Sequence, residues 1–177
     1  MGQNFDLEAE VRDLAARRDI TDAVQRYMRG LDRLDPAMQR SAFHDDAYID
    51  VGLFKGGADD FVEFAQGLLA AMEATHHFLG QIRIEMRDAA NASGECYFQA
   101  WHDSRNEDGA ERDLFISGRY IDEYSCRDGV WRIAKRKLIT DWITDDPANR
   151  AFWNQDPPPL AGGRRGEDFS DRRDWPD

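Results

Sequence analysis

Few residues in this 177-residue chain could move protons: four histidines, His44, His76, His77 and His102, and one suggestively placed carboxylate, Asp32, in RYMRGLDRLD. Imidazole titrates nearest neutral pH, so a histidine held in a pocket is the usual general base or acid. None of the four forms an HxxxH or HExxH pattern, and Cys96 and Cys126 lie in no CxxC or Cys/His spacing, so no metal site is expected. The GGRRG run at 162–166 has no strand before it and no helix after it, and there is no serine nucleophile elbow. The expectation is chemistry with neither cofactor nor metal.

Taken singly, these residues have plain structural readings. Asp32 ends a helix, where the helix dipole disfavours an acid, and alone it reads as a surface carboxylate. Tyr27 falls on that helix's apolar side as a core residue whose hydroxyl needs a partner if buried. His76 and His77 open the first long strand, and neighbours on a strand point to opposite faces, so one of them looks inward. Parity groups His76 with Phe78, Ile82 and Ile84, which favours His76, unless Gly80 marks a bulge that changes the phase. His102 ends the next strand and reads as solvent-facing. Arg136 sits in the last strand, WRIAKRKLITDW, most of whose charges must be exposed.

The elements that must position these groups follow from periodicity. Leu7, Val11, Leu14, Ile20, Val24, Tyr27 and Leu31 trace one long amphipathic helix, with a break allowed near Arg17–Asp19. Pro36 opens a short second helix to about Phe43. Residues 47–53 read as a strand, 55–57 as its turn, and 58–74 as a further helix carrying Phe61, Leu68 and Met72 on one side. Alternation then takes over at 77–88, 93–104, 113–125 and 130–142, with turns at 91–94, 106–109 and 127–129. Helices followed by an antiparallel run predict an α+β domain over 1–145, its sheet curling over the helices. Residues 146–177, with Pro157-Pro158-Pro159 and many charges, read as an extended or disordered tail that could wrap a partner subunit, with Trp153 and Trp175 as candidate anchors.

Composition narrows the partners. With 23 basic against 35 acidic residues the net charge is −12, which repels nucleic acid and anionic membranes. No apolar run reaches membrane-spanning length, the charged amino terminus lacks a signal-peptide core, and MGQNFD has Asp6 where the myristoylation pattern needs Ser or Thr. A cytoplasmic location is expected.

Three stretches together resemble the SnoaL-like group of the nuclear-transport-factor-2-like superfamily: RYMRGLD, THHFLGQIRIE and EYSCRDGVWRIAKR. The resemblance covers roughly residues 7–145 and implies a cone, three helices in the concave side of a curved sheet with a pocket at the open end. It implies an Asp32–His77 acid–base dyad with Tyr27 and His102 beside it, and Tyr120, Arg136, Val51, Phe98, Leu68 and Trp142 around a substrate. Phe61 and Phe115 are further candidates for shaping the pocket. It also implies a cofactor-free hydro-lyase acting on a small apolar cyclic substrate such as a steroid, bile-acid or polyketide-like alcohol, in a homotrimer or homodimer. The alternatives are an isomerase or cyclase using the same dyad, or the non-catalytic small subunit of a ring-hydroxylating dioxygenase. Tyr27 stands where the family's dehydrochlorinases keep a lysine, and Val51 and Tyr120 replace a tyrosine and an asparagine of scytalone dehydratase, so the substrate is expected to differ from theirs.

Overall fold

The structure, a computed structural model, describes residues 6–176; the MGQNFD start lies outside it except for Asp6. Asp6 caps the first helix, α1 (Leu7–Asp32), by accepting from the amides of Glu8 and Ala9, and Glu8 and Glu10 suit the positive end of the dipole. The helix runs unbroken through Arg17–Asp19 because the stripe Ile20, Val24, Tyr27 and Leu31 buries continuously against the sheet. Leu7, Val11 and Leu14, on the same predicted stripe, are instead exposed, since the first turns of α1 project past the core. Asp35 caps α2 (Pro36–Ser41) through the Met38 amide at 2.9 Å, with Pro36 in the first turn.

The chain then enters β1 (Phe43–Asp50), four residues before the expected strand start, and turns at Gly52, whose φ of +78° suits only glycine. The expected 55–57 turn is a short edge strand, β2 (Lys55–Gly57), and α3 (Ala58–Ala70) ends earlier than periodicity suggested. Four long strands follow: β3 (Ala74–Met86), β4 (Asn91–Arg105), β5 (Glu111–Arg127) and β6 (Val130–Pro147). They form one open mixed sheet in the order β2-β1-β6-β5-β4-β3, in which only the β1–β6 pair is parallel. This is the expected α+β cone, with α1 and α3 in the concave face.

The turns are local chemistry. Asp128 and Gly129, both at positive φ, make the two-residue β5–β6 hairpin, and Asn106–Gly109 closes β4–β5 with the Asn106 carboxamide accepting from the Ala110 amide. The β3–β4 turn lies at 87–90, not at 91–94: the Asp88 carboxylate accepts from the Ala90 amide at 2.7 Å, so Asn91 to Gly94 are already paired in β4. Beyond β6, a 3₁₀ turn (Ala151–Asn154) and a short helix, α4 (Phe169–Arg172), bring the chain back to α1, where Arg33 binds the Gly163 carbonyl and the Asp168 carboxylate, each at 2.8 Å. No described helix is long and apolar enough to cross a membrane.

Candidate active site

Two bulges decide which side chains reach the inside of the cone. In β3, Leu79 pairs with Phe98 but Ile82 pairs with Cys96, so Gly80 and Gln81 together face Tyr97 and the alternation slips by one. Thr75, His77 and Leu79 point inward before the slip, and Ile82, Ile84 and Met86 after it. His77 is therefore the inward histidine, and His76 lies exposed on the outer face against Trp101. Strict parity from the downstream isoleucines pointed to His76; the bulge at Gly80 is what reverses it.

In β6, Ser117 of β5 pairs with Trp142 and Gly118 with Thr140, leaving Asp141 unmatched. Leu138 and Thr140 face the cavity below this bulge and Ile143 above it. Trp142, expected at the substrate, is thus turned to the outer face, 63% exposed, and Phe115 packs on the outer Trp101.

Asp32, in the last turn of α1, is held by β3 at three points. It accepts from Nδ1 of His77 at 2.7 Å, from the His77 backbone amide at 2.8 Å and from the Thr75 hydroxyl at 3.0 Å. Burial pushes its carboxyl up, but the hydrogen bonds and charge of His77 and the Thr75 hydroxyl outweigh that and hold it below the usual carboxylate range. The bond to Asp32 assigns the ring proton to Nδ1 and leaves Nε2 to face the cavity.

The His102 ring stands perpendicular to His77, with centroids 5.3 Å apart. It is buried rather than solvent-facing because β4 runs on past it to Arg105, pairing with β5 on one side and β3 on the other. Burial, then the nearby His77, lowers its pKa to about 4. Nδ1 of the neutral ring donates to the Leu114 carbonyl at 3.2 Å, which makes Nε2 an acceptor.

Both histidines open on a cavity of about 400 Å³, a size suited to a small organic ligand. Tyr27, Val51, Leu68, Phe98 and Tyr120 line it, joined by Phe61, Phe64, Ile116 and Leu138. The polar residues in this lining are His77, His102, Tyr27, Tyr120 and Thr140. Burial raises both phenols above their ordinary pKa, so they are protonated donors at neutral pH.

Arg136 does not line this cavity. It is fully buried below the floor, bidentate to Asp122 at 2.8 and 2.6 Å, with its guanidinium carbon 4.3 Å from the Tyr27 ring and 4.1 Å from the Tyr120 ring. Asp122 also accepts from the Tyr124 hydroxyl at 2.8 Å. A guanidinium so engaged fixes the two tyrosine rings rather than reaching a substrate.

Sequence reasoning passed over Thr75 and Arg164. Thr75 shares the parity of His77 and was legible once the inward histidine was known. Arg164, which donates to the Thr75 hydroxyl oxygen at 3.1 Å, sits in a charged tail with no periodicity to place it. Among the described residues no group of three or more His, Cys, Asp or Glu side chains could hold a metal ion.

Comparison with known proteins agrees with this fold. Residues 12–137 match the SnoaL-like domain family. Gamma-hexachlorocyclohexane dehydrochlorinase of Sphingobium indicum is 26% identical over 137 residues, covering 74% of this chain and 84% of that protein. Two solved structures share the fold: a type 2 hexachlorocyclohexane dehydrochlorinase (TM-score 0.72, 24% identity, 79% of this chain and 95% of that one) and a candidate scytalone dehydratase from Novosphingobium aromaticivorans (TM-score 0.68, 23% identity, 79% and 93%).

Proposed function

The chain belongs to the SnoaL-like family, and from that premise we propose that it is an acid–base lyase, working without a cofactor, that removes water from a small cyclic apolar alcohol carrying a carbonyl. The observation that carries this reading is the Asp32–His77 pair opening on an apolar cavity. Asp32 fixes the tautomer and leaves Nε2 free to take a proton beside the substrate carbonyl. The Tyr27 phenol, or that of Tyr120, donates to the oxygen that becomes an enolate. Related proteins named as a dehydrochlorinase and a candidate dehydratase support elimination as the reaction class.

His102 does not act as the acid for the leaving group. A ring that is neutral near pH 7 and donates Nδ1–H to Leu114 has no proton to give a departing hydroxyl. We assign its Nε2 to accept from the substrate hydroxyl and orient it. His77, protonated in the first step, then returns that proton to the leaving oxygen, so one group serves both halves of the reaction. A single acid–base group equally suits isomerisation, in which the proton returns to carbon instead. The aromatic band Phe78, Tyr97 and Trp101, exposed on the outer sheet face, supports self-association through that face.

The test is a panel of steroid, bile-acid and aromatic polyketide-like hydroxy-ketones read by mass spectrometry. Loss of one water supports the lyase, and an isomer of unchanged mass supports the second reading. Turnover that survives both Asp32→Asn and His77→Ala would overturn both.

A further inference from the structure

The tail beyond the family region reaches the back of the dyad. Arg164 donates through one guanidinium nitrogen to the carbonyls of Leu69 at 3.2 Å and Met72 at 2.8 Å, and through the other to the Thr75 hydroxyl oxygen at 3.1 Å. Thr75 in turn donates its only hydroxyl proton to Oδ1 of Asp32 at 3.0 Å, the oxygen that His77 Nδ1 also binds. A threonine hydroxyl rotates freely unless its acceptor side is occupied. With Arg164 donating to that side, the proton is left to point at Asp32.

The segment that delivers Arg164 is tightly folded. Arg33 binds the Gly163 carbonyl and the Asp168 carboxylate, Asp168 accepts from the Gly163 amide at 2.7 Å, and the Arg165 amide donates to the Arg33 carbonyl at 2.7 Å. A side chain at Gly163 would bring its Cβ within 2.6 Å of the Asp168 amide nitrogen, so the turn takes glycine alone. Further along, Arg29 pairs with Asp171. Four tail residues, Gly163, Arg165, Asp168 and Asp171, thus grip the end of α1 within a few positions of Asp32.

We propose that Arg164 is a positioning residue for the dyad: through Thr75 it orients and charges Asp32, so that a segment outside residues 12–137 completes the active site. This rests on the dyad reading above. A hydroxyl proton and a cation behind the carboxylate keep Asp32 ionised and keep Oδ1 on His77 Nδ1. The charged and titratable groups facing Asp32 are His77 on β3, His102 on β4 and Arg164 from the tail, and Arg164 itself is faced by Arg33 at the end of α1, Glu73 ahead of β3 and Arg165.

The experiment reads the carboxyl carbon of Asp32 by NMR across pH in the full chain, without substrate. Thr75→Val and Arg164→Gln should each raise the Asp32 pKa by roughly half a unit or more. Thr75→Ser, which keeps the hydroxyl, should stay at the wild-type value, and Arg164→Lys should fall between. In the Thr75→Val background Arg164→Gln should add less than half of its effect. An unchanged titration in Arg164→Gln, or equal shifts in both backgrounds, overturns the proposal. Should Arg164→Gln fail to fold, Arg164→Lys and Thr75→Val decide, and wild-type titration in both also overturns it. Because no turnover is measured, failure here is separate from failure of the dyad reading, which Asp32→Asn and His77→Ala test.

Discussion

Asp32 and His77 meet at 2.7 Å although 45 positions separate them in the chain, one in the last turn of a helix and the other early in a strand. The backbone amide of His77 donates to the same carboxylate, so ring and main chain are locked to one acid. The His77 side chain is 7% exposed and that of Asp32 13%, which leaves the carboxylate little competing water.

That geometry separates structure from chemistry at His77. Asn in its place keeps a polar atom near the Nδ1 position, able to bind Asp32, but has nothing at Nε2. His77→Asn should retain the fold by circular dichroism and lose turnover by about 10²–10⁴-fold. Steady-state rates on the substrate found in the panel check it.

His102 makes a prediction about stability. Its pKa is about 4 in the fold and about 6.5 in an unfolded chain. Above pH 6.5 both states are neutral and the contribution is complete. Between 6.5 and 4 the unfolded state takes up a proton that the native state refuses, so stability falls with pH, by at most about 1.4 kcal/mol per pH unit for one proton. Urea melts across this window should show that fall, and a shallower one in His102→Gln.

Gly30 lies where α1 meets α2. A Cβ there would stand 2.5 Å from the Gln39 amide nitrogen and 2.7 Å from its Cα, neither of which can move without shifting a helix. Gly30→Ala should cost about 1–3 kcal/mol by denaturant unfolding. Two residues from Asp32, the shift should also disturb the dyad, which the Asp32 titration would register.

Phe98 and Leu68 both line the cavity but carry different loads. Phe98 is 3% exposed and stacks on Tyr120 with centroids 4.6 Å apart, whereas Leu68 is 43% exposed at the mouth. Phe98→Ala should cost about 3–5 kcal/mol. Leu68→Ala should cost roughly 1 kcal/mol or less and show itself in KM or in the binding of an apolar fluorescent probe. Equal stability losses would contradict this division.

Periodicity placed the helices and long strands, because a 3.6-residue or two-residue repeat of apolar side chains is a local property. The Asp128-Gly129 and Asn106–Gly109 turns were equally legible, since positive φ and side-chain capping need only neighbouring residues. The resemblance named Asp32 and His77, and the fold brings them into contact.

What the chain order could not decide was phase. One unmatched residue near Gly80 turned His77 rather than His76 inward, and another at Asp141 turned Ile143 inward and Trp142 out. A bulge is set by what the partner strand accepts opposite it, which no single-strand pattern contains. The same holds for Arg136, whose charge read as exposed until Asp122 and two tyrosines enclosed it, and for Arg164, carried by an aperiodic tail. The sequence by itself determined the elements and their chemistry-bearing residues. Only the tertiary structure decided which of those residues face one another, because that depends on pairing between segments far apart in the chain.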